Sequence, residues 1–314
     1  MSLAFVFPGQ GSQSLGMLSE MALAHPQIEQ TFAEASAVLG YDLWGLSQQG
    51  PEEKLNRTEQ TQPVMLAAGV AVWRTWRTCG GVSPAYLAGH SLGEYSALVC
   101  ANSLDFTDAV KLVAARGRFM QEAVPVGEGA IAAVLGLDDA QVLEACEEAM
   151  KARSGEVASA VNFNAPGQVV VAGNAAAVAL ALELAKEKGA RRAVTLPMSV
   201  PVHCELMRPA TERLSSMLAR ASVRAPEIPV VNNADVAMET DPDAIRDALA
   251  RQLFSPVRWS ETILKLSREG AQVIVECGPG RVLSGLMKRI DPNVKTLSLH
   301  DPDSLRAALV ELGG

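Results

Sequence analysis

Short apolar runs alternate along the chain with longer segments in which apolar residues recur at helical spacing. A run of about four to eight apolar residues bounded by glycine or proline is typical of a buried strand, and recurrence every three or four residues is typical of a helix. Their alternation predicts an α/β fold with a largely parallel sheet. The predicted strands of this main part are residues 3–7, 85–89, 228–231, 271–276 and 294–298, and its clearest helices are residues 62–76, 92–100 and 105–124.

The middle of the chain carries a different pattern. Its elements follow the order β-α-β-β-α-β, which is the order of a ferredoxin-like unit. We therefore predict a large α/β domain of residues 1–126 and 198–314, interrupted by a small ferredoxin-like subdomain of residues 127–197. In this insert the expected strands are residues 130–135, 158–163, 168–172 and 192–196, and the expected helices are residues 138–152 and 175–188.

Composition narrows the class of protein. The 314 residues are 48% hydrophobic and 20% charged, which excludes disorder as the main state and permits a large core. The formal net charge is −8 and no Lys or Arg precedes Lys54, so a nucleic-acid surface is not expected. The five cysteines form no C-x-x-C pair, which favours a reducing compartment over a disulfide framework or a zinc site. Without a signal-peptide pattern or an apolar stretch that could span a membrane, we expect a cytoplasmic protein.

One serine stands in a pattern typical of a nucleophile. Residues 89–93 read Gly-His-Ser-Leu-Gly, between a predicted strand and a predicted helix, which is the context that a G-x-S-x-G turn requires. Small flanking residues permit the strained turn, and the start of the helix favours negative charge near Ser91. The alternative is that Ser91 only caps the helix.

A nucleophilic serine needs a base, and His203 is the best placed of the four histidines. It follows an extended, proline-containing segment after a predicted strand, and α/β proteins place their chemistry at the carboxyl ends of strands. His90 adjoins the serine and is expected to be structural, while His25 follows a helix and His300 lies in a polar stretch. Because no acidic residue between Ser91 and His203 stands at an obvious strand end, a Ser–His dyad held by a neutral group remains open.

An arginine falls on the apolar stripe of the predicted helix 105–124. Arg116 is spaced three residues from Val113 and four from Met120, which puts it on the core-facing side. A guanidinium in that position needs a partner, either an internal acid such as Glu94 or the carboxylate of a ligand. Its planar fork would hold a carboxylate bidentately and favour a carboxylated acyl group over a neutral one.

These motifs together resemble the malonyl-CoA:acyl-carrier-protein transacylase family over essentially the whole chain. The similar segments are residues 5–13, 89–98, 116–121, 162–168, 201–204, 252–259 and 276–280. The resemblance implies a hydrolase-like α/β domain with a ferredoxin-like insert. It also implies ping-pong transfer of a malonyl group from malonyl-CoA to the phosphopantetheine thiol of acyl carrier protein, as in fatty acid biosynthesis.

The resemblance assigns the central chemistry to a serine and a histidine. Ser91 would attack the thioester with His203 as general base. The backbone carbonyl of Gln252 would orient His203, which accounts for the missing acidic residue. The resemblance implies neither a metal nor a cofactor, since malonyl-CoA is a substrate and the phosphopantetheine belongs to the carrier.

The resemblance also implies how the acyl group is bound. Arg116 would hold the malonyl carboxylate, and the backbone N–H groups of Gln10 and Leu92 would form the oxyanion hole. Many relatives have serine immediately before the histidine, where this chain has Val202. That position borders the acyl pocket, and we expect malonyl to remain preferred because Arg116 is retained.

The expected partners are malonyl-CoA and, transiently, acyl carrier protein, with no nucleic acid, no membrane and a monomeric chain. An acidic carrier requires a local basic patch, for which the candidates are Arg191, Arg192, Lys288 and Arg289. Two other functions compete with this one, a serine esterase or thioesterase on a related fold and a non-enzymatic scaffold that binds the carrier. A hydrolase has no use for a carboxylate-binding arginine beside its serine, and the Ser–His pair speaks against a scaffold.

Overall fold

Two separate β-sheets organise residues 2–196 and 200–313, the part of the chain that the computed structural model describes. The strands are β1 (Leu3–Phe7), β2 (Tyr86–Gly89), β3 (Gly129–Leu135), β4 (Ala158–Ala165), β5 (Gln168–Asn174), β6 (Arg192–Thr195), β7 (Val230–Val231), β8 (Val273–Cys277) and β9 (Lys295–Leu299). The helices are α1 (Ser19–Ala24), α2 (Gln27–Leu39), α3 (Leu43–Gln49), α4 (Glu52–Leu55), α5 (Thr58–Thr78), α6 (Gly93–Cys100), α7 (Phe106–Ala123), α8 (Asp139–Ala152), α9 (Ala175–Glu187), α10 (Arg208–Leu218), α11 (Pro242–Gln252), α12 (Trp259–Arg268), α13 (Val282–Ile290) and α14 (Pro302–Leu312). Residues 197–199 of the predicted extended segment, and with them the predicted subdomain boundary at 197, lie outside the described residues.

The main sheet has the strand order β7-β2-β1-β8-β9, and all its neighbouring strands are parallel. This confirms the predicted parallel sheet. β1 is buried at every position, as expected for a strand covered on both faces. In the register of β1 and β2, Phe7 lies opposite Gly89, so the loops that leave these two strands start side by side. β7 is shorter than predicted because Pro229, which precedes it, has no N–H to donate to the sheet.

The second sheet is antiparallel and has the order β4-β5-β3-β6, with β3 and β5 at its centre. This is the strand order of a ferredoxin-like unit and agrees with the predicted topology. Side chains alternate across β3: Ile131 belongs to the main core, whereas Ala132 and Val134 belong to a second core that includes buried residues of α8 and α9. All four strands lie within the predicted span 127–197, whose limits stay a prediction.

The second sheet is fastened to the main domain along β4. The Phe163 N–H donates to the Val257 carbonyl at 3.0 Å, and the Val257 N–H donates to the Val161 carbonyl at 2.8 Å. Nearby, Nη2 of Arg289 donates to the Pro166 carbonyl at 2.8 Å. These bonds hold β4 and the turn that follows it against α13 and the segment before α12 of the main domain.

Helices α5 and α7 form much of the main core. Trp73 and Trp76 of the largely buried α5 pack on Phe5, with ring centroids 5.4 Å away in each case. At the start of α7, the Asp105 side chain accepts from the Thr107 N–H at 2.9 Å, which confirms the predicted helix start. None of the helices in the described ranges combines the length and the apolar character needed to cross a membrane.

Candidate active site

Ser91 lies on a tight turn between β2 and α6, as predicted. Its φ of +50° is in the left-handed region, which is strained for a residue with a side chain. Glycine is required on both sides: a Cβ on Gly89 would lie 1.9 Å from the carbonyl carbon of Gly93, and a Cβ on Gly93 would lie 2.0 Å from the Phe7 oxygen. The first glycine is therefore required by the tightness of the turn itself, and the second by the close approach of the start of α6 to the end of β1.

His203 meets the serine directly. Its Nε2 lies 2.7 Å from Ser91 Oγ, and its Nδ1 lies 2.8 Å from the backbone carbonyl oxygen of Gln252. A carbonyl oxygen can only accept, so Nδ1 must carry the proton, and Nε2 is left with a lone pair that accepts from the serine hydroxyl. His203 also has a left-handed backbone, with φ of +62°.

The electrostatic surroundings keep His203 neutral. Burial lowers its pKa to about 3, and the nearby positive charge of Arg116 contributes to the lowering. At neutral pH the imidazole is therefore unprotonated, which is the form a general base needs.

Arg116 of α7 also contacts the serine. Its side chain is buried, with 1% of the residue exposed, and its Nη2 donates to Ser91 Oγ at 3.1 Å and to Gln252 Oε1 at 2.9 Å. Its Nε has no hydrogen-bond partner among the described residues. Desolvation lowers the pKa of this guanidinium, which the carboxylate of Glu94 opposes.

The sequence left open whether Arg116 pairs with an internal acid. Within the described part of the chain, no ion pair joins Arg116 to a carboxylate. The Gln252 side chain stands between the two charges, accepting from Arg116 and donating from Nε2 to Glu94 Oε2 at 2.7 Å. The guanidinium therefore keeps N–H groups that a ligand carboxylate can use.

The serine, histidine and arginine open into one cavity of about 240 Å³ between the main domain and the second sheet. Ile131 and Val170 come from the second sheet, and the main domain contributes the loops after β1 and β2 and residues of α5, α7 and α13. The other predicted site residues Gln10 and Leu92 line the same cavity, as does Val202. A larger, open hollow of about 740 Å³ beside α2 and α3 has none of these residues in its lining. The described residues contain no group of three or more His, Cys, Asp or Glu side chains suited to a metal ion.

The remaining histidines have other contacts. His90 also lines the cavity; its Nε2 lies 2.8 Å from Asn164 Oδ1 and its ring lies 5.3 Å from that of Trp259, and its structural role stays a prediction. His25 lies near Cys79, with 3.8 Å between Nδ1 and Sγ. His300 contacts Asp301 and Ser298.

Sequence reasoning missed Asn233 and the side chain of Gln252. Asn233 Oδ1 accepts from the Ser91 N–H at 2.6 Å, and its Nδ2 donates to the Gly89 carbonyl at 2.7 Å. Asn233 comes just after β7, at the carboxyl end of a strand of the main sheet. The rule that α/β proteins place functional residues at the carboxyl ends of strands, which pointed to His203, therefore also applies to Asn233.

A serine on a strand–helix turn, a neutral histidine and a buried arginine share one cavity, as in an α/β acyltransferase. Residues 4–294 match the family model described as acyl transferase domain. The chain belongs to the malonyl CoA-acyl carrier protein transacylase family. The transacylase of this name from Escherichia coli (strain K12) is 57% identical over 306 residues, which cover 98% of each chain. The one from Bacillus subtilis (strain 168) is 43% identical over 310 residues, covering 99% of this chain and 97% of the relative.

Solved structures of relatives share the whole fold. An acyl carrier protein S-malonyltransferase from Vibrio cholerae gives a TM-score of 0.95 at 55% identity, covering 98% of this chain and 99% of the relative. A malonyl-transacylase in complex with a type II PKS acyl-carrier protein gives a TM-score of 0.97 at 53% identity, covering 99% of this chain and 100% of the relative. The predicted fold, a hydrolase-like α/β domain combined with a second sheet, is thereby confirmed.

Proposed function

We propose that this transacylase moves malonyl from malonyl-CoA to the phosphopantetheine thiol of acyl carrier protein by a ping-pong route through a malonyl ester of Ser91. The observation that carries the proposal is the contact of one atom with two groups: Ser91 Oγ lies 2.7 Å from His203 Nε2 and 3.1 Å from Arg116 Nη2. A base and a carboxylate receptor thus meet at the same nucleophile.

The proposed reaction has two matched halves. In the first, Ser91 Oγ bonds to the thioester carbonyl carbon as its proton passes to His203 Nε2, and the CoA sulfur leaves with that proton. In the second, His203 takes the proton of the carrier's thiol, the sulfur attacks the ester carbonyl, and Ser91 Oγ leaves as the hydroxyl is restored. The backbone N–H groups of Gln10 and Leu92 are proposed to stabilise the negative oxygen in both halves.

Substrate binding is expected to strengthen the base. The charge of Arg116 is one of the causes of the low pKa of His203. A malonyl carboxylate paired with Arg116 offsets this charge, so the pKa of His203 rises toward the range in which it accepts a proton readily. An acetyl group has no such effect.

The test is intact mass after mixing the chain with malonyl-CoA or acetyl-CoA. We expect a malonyl adduct that Ser91→Ala abolishes and that forms about 10²–10⁴ times more slowly in His203→Ala. Equal labelling by both thioesters, or no adduct, would overturn the malonyl assignment. Sustained hydrolysis of a simple ester without a thiol acceptor would favour the esterase alternative.

The proposed carrier-binding residues are the exposed basic side chains of Arg191, Arg192, Lys288 and Arg289. Arg289 is already used within the molecule, since it donates to Gln168 Oε1 at 2.5 Å as well as to Pro166. Arg191 packs against Gly136. Arg192 and Lys288 are exposed and are the more direct candidates for an acidic partner. The cytoplasmic location, the monomeric state and the lack of a cofactor stay predictions.

A further inference from the structure

Glu94 is a buried carboxylate, only 2% exposed, in the first turn of α6 and three residues beyond Ser91. A single oxygen, Oε2, accepts two hydrogen bonds, from Gln252 Nε2 at 2.7 Å and from the Asn233 N–H at 2.9 Å. It touches neither the serine hydroxyl nor the histidine, so the steps proposed above do not use it.

The first bond fixes the orientation of an amide. Gln252 Nε2 donates to Glu94 and to the Ser91 carbonyl at 3.1 Å, while Oε1 accepts from Arg116. The opposite orientation would set an NH₂ group against the guanidinium and an oxygen against two acceptors. Glu94 therefore holds Gln252 in the one orientation that can accept from Arg116.

The second bond acts on the serine turn. Glu94 holds the backbone of Asn233, whose side chain bonds to the backbone of both Ser91 and Gly89. One carboxylate oxygen thus connects the arginine and the nucleophile through two amide side chains. Buried networks of this kind hold their members in place when every donor has an acceptor.

We propose that Glu94 is a positioning residue that sets the preference for a carboxylated acyl group, by aligning Arg116 through Gln252. A direct ion pair would occupy the guanidinium, whereas a carboxylate one amide away stabilises its charge and leaves N–H groups for the substrate. This inference rests on the proposed malonyl transfer.

The bonds need an acceptor oxygen more than a negative charge. Burial raises the pKa of Glu94 to about 7. The hydrogen bonds from Gln252 and Asn233 and the charge of Arg116 lower this pKa, but they do not outweigh burial. A neutral carboxyl still has an oxygen that accepts both bonds. In Glu94→Gln the amide oxygen can take the place of Oε2, whereas Glu94→Ala leaves the Asn233 N–H without its acceptor and leaves Gln252 Nε2 with the Ser91 carbonyl alone.

The experiment measures initial rates of Ser91 acylation by malonyl-CoA and by acetyl-CoA for the native chain, Glu94→Ala and Glu94→Gln. We expect Glu94→Ala to lower the ratio of malonyl to acetyl rates about 10-fold to 100-fold. We expect Glu94→Gln to restore the ratio to within about threefold of the native value. This rescue separates positioning from a general loss of structure.

Glu276 supplies the matched control, as a second buried carboxylate that accepts from the Leu283 and Ser284 N–H groups. Glu276→Ala should lower thermal stability and leave the malonyl-to-acetyl ratio unchanged. An unchanged ratio in Glu94→Ala, or a ratio in Glu94→Gln as low as in Glu94→Ala, would overturn the inference. Absence of a malonyl adduct on the native chain would instead overturn the proposed function itself.

Discussion

Arg116 Nη2 lies 3.1 Å from Ser91 Oγ, so the guanidinium points at the serine hydroxyl. The same nitrogen donates to Gln252 Oε1 at 2.9 Å, which anchors this end of the fork. A malonyl ester on Ser91 carries its carboxyl carbon three bonds from Oγ, close enough for the remaining N–H groups to reach. The arginine can thus change partners from the free hydroxyl to the substrate carboxylate without leaving its place.

Replacing this arginine should relax the choice of acyl group. For Arg116→Ala we expect the rate of Ser91 acylation by malonyl-CoA to fall about 10-fold to 100-fold relative to acetyl-CoA, because a charged hydrogen-bond pair is lost. Arg116→Lys keeps the charge without the planar fork and should give an intermediate ratio. Intact-mass time courses measure both ratios, and an equal loss with the two thioesters in Arg116→Ala would contradict the role.

The histidine should make stability depend on pH. Its pKa is about 3 in the folded chain against 6.5 for the free group, so below pH 6.5 the unfolded chain binds the proton more readily. The free energy of unfolding therefore falls as pH is lowered, by about 2 kcal/mol between pH 7 and pH 5. In His203→Gln this decrease in the free energy of unfolding should be absent. Urea unfolding of the native chain and of His203→Gln at pH 7 and pH 5 measures the decrease, and the same pH dependence in both chains would refute the prediction.

Asn233 should matter to both stability and rate. In Asn233→Ala the Ser91 N–H and the Gly89 carbonyl lose their partner, at a cost of about 1–3 kcal/mol for each group left buried and unpaired. We expect a lower melting temperature and slower acylation by malonyl-CoA. Asn232→Ala is the comparison, because its side chain bonds to the Asp235 N–H and its Nδ2 has no partner among the described residues. Equal effects at the two positions would argue against a role at the turn.

Charge reversal should distinguish two neighbouring basic residues. Lys288→Glu should slow transfer to the carrier protein more than acylation by malonyl-CoA, and the difference should shrink at high salt. Arg289→Glu also breaks the bonds to Gln168 and Pro166, so it should lower the melting temperature as well. Carrier-dependent rates at two ionic strengths, with melting curves, test the pair. Unchanged rates for Lys288→Glu would remove it from the proposed surface.

Much of the site could be predicted from the sequence because its signals are local. The strand, turn and helix around Ser91 and the apolar stripe that contains Arg116 each lie within about twenty residues. The bond between Ser91 and Asn233 joins residues 142 apart and depends on β7 pairing with β2, which no local pattern specifies. Likewise the stripe showed that Arg116 needs a partner, but only the fold places the Gln252 amide between it and Glu94.

Both members of the hydrogen-bonded pair Ser91 and His203 have a left-handed backbone, which costs about 1–2 kcal/mol for a residue with a Cβ. Glycine adopts this conformation without that cost. Replacing Ser91 by glycine would remove this backbone strain but also the hydroxyl that bonds to His203 and Arg116. Backbone conformation alone favours glycine at this turn and the side-chain contacts favour serine, so heat resistance by itself is a poor guide to acyl transfer in variants at position 91.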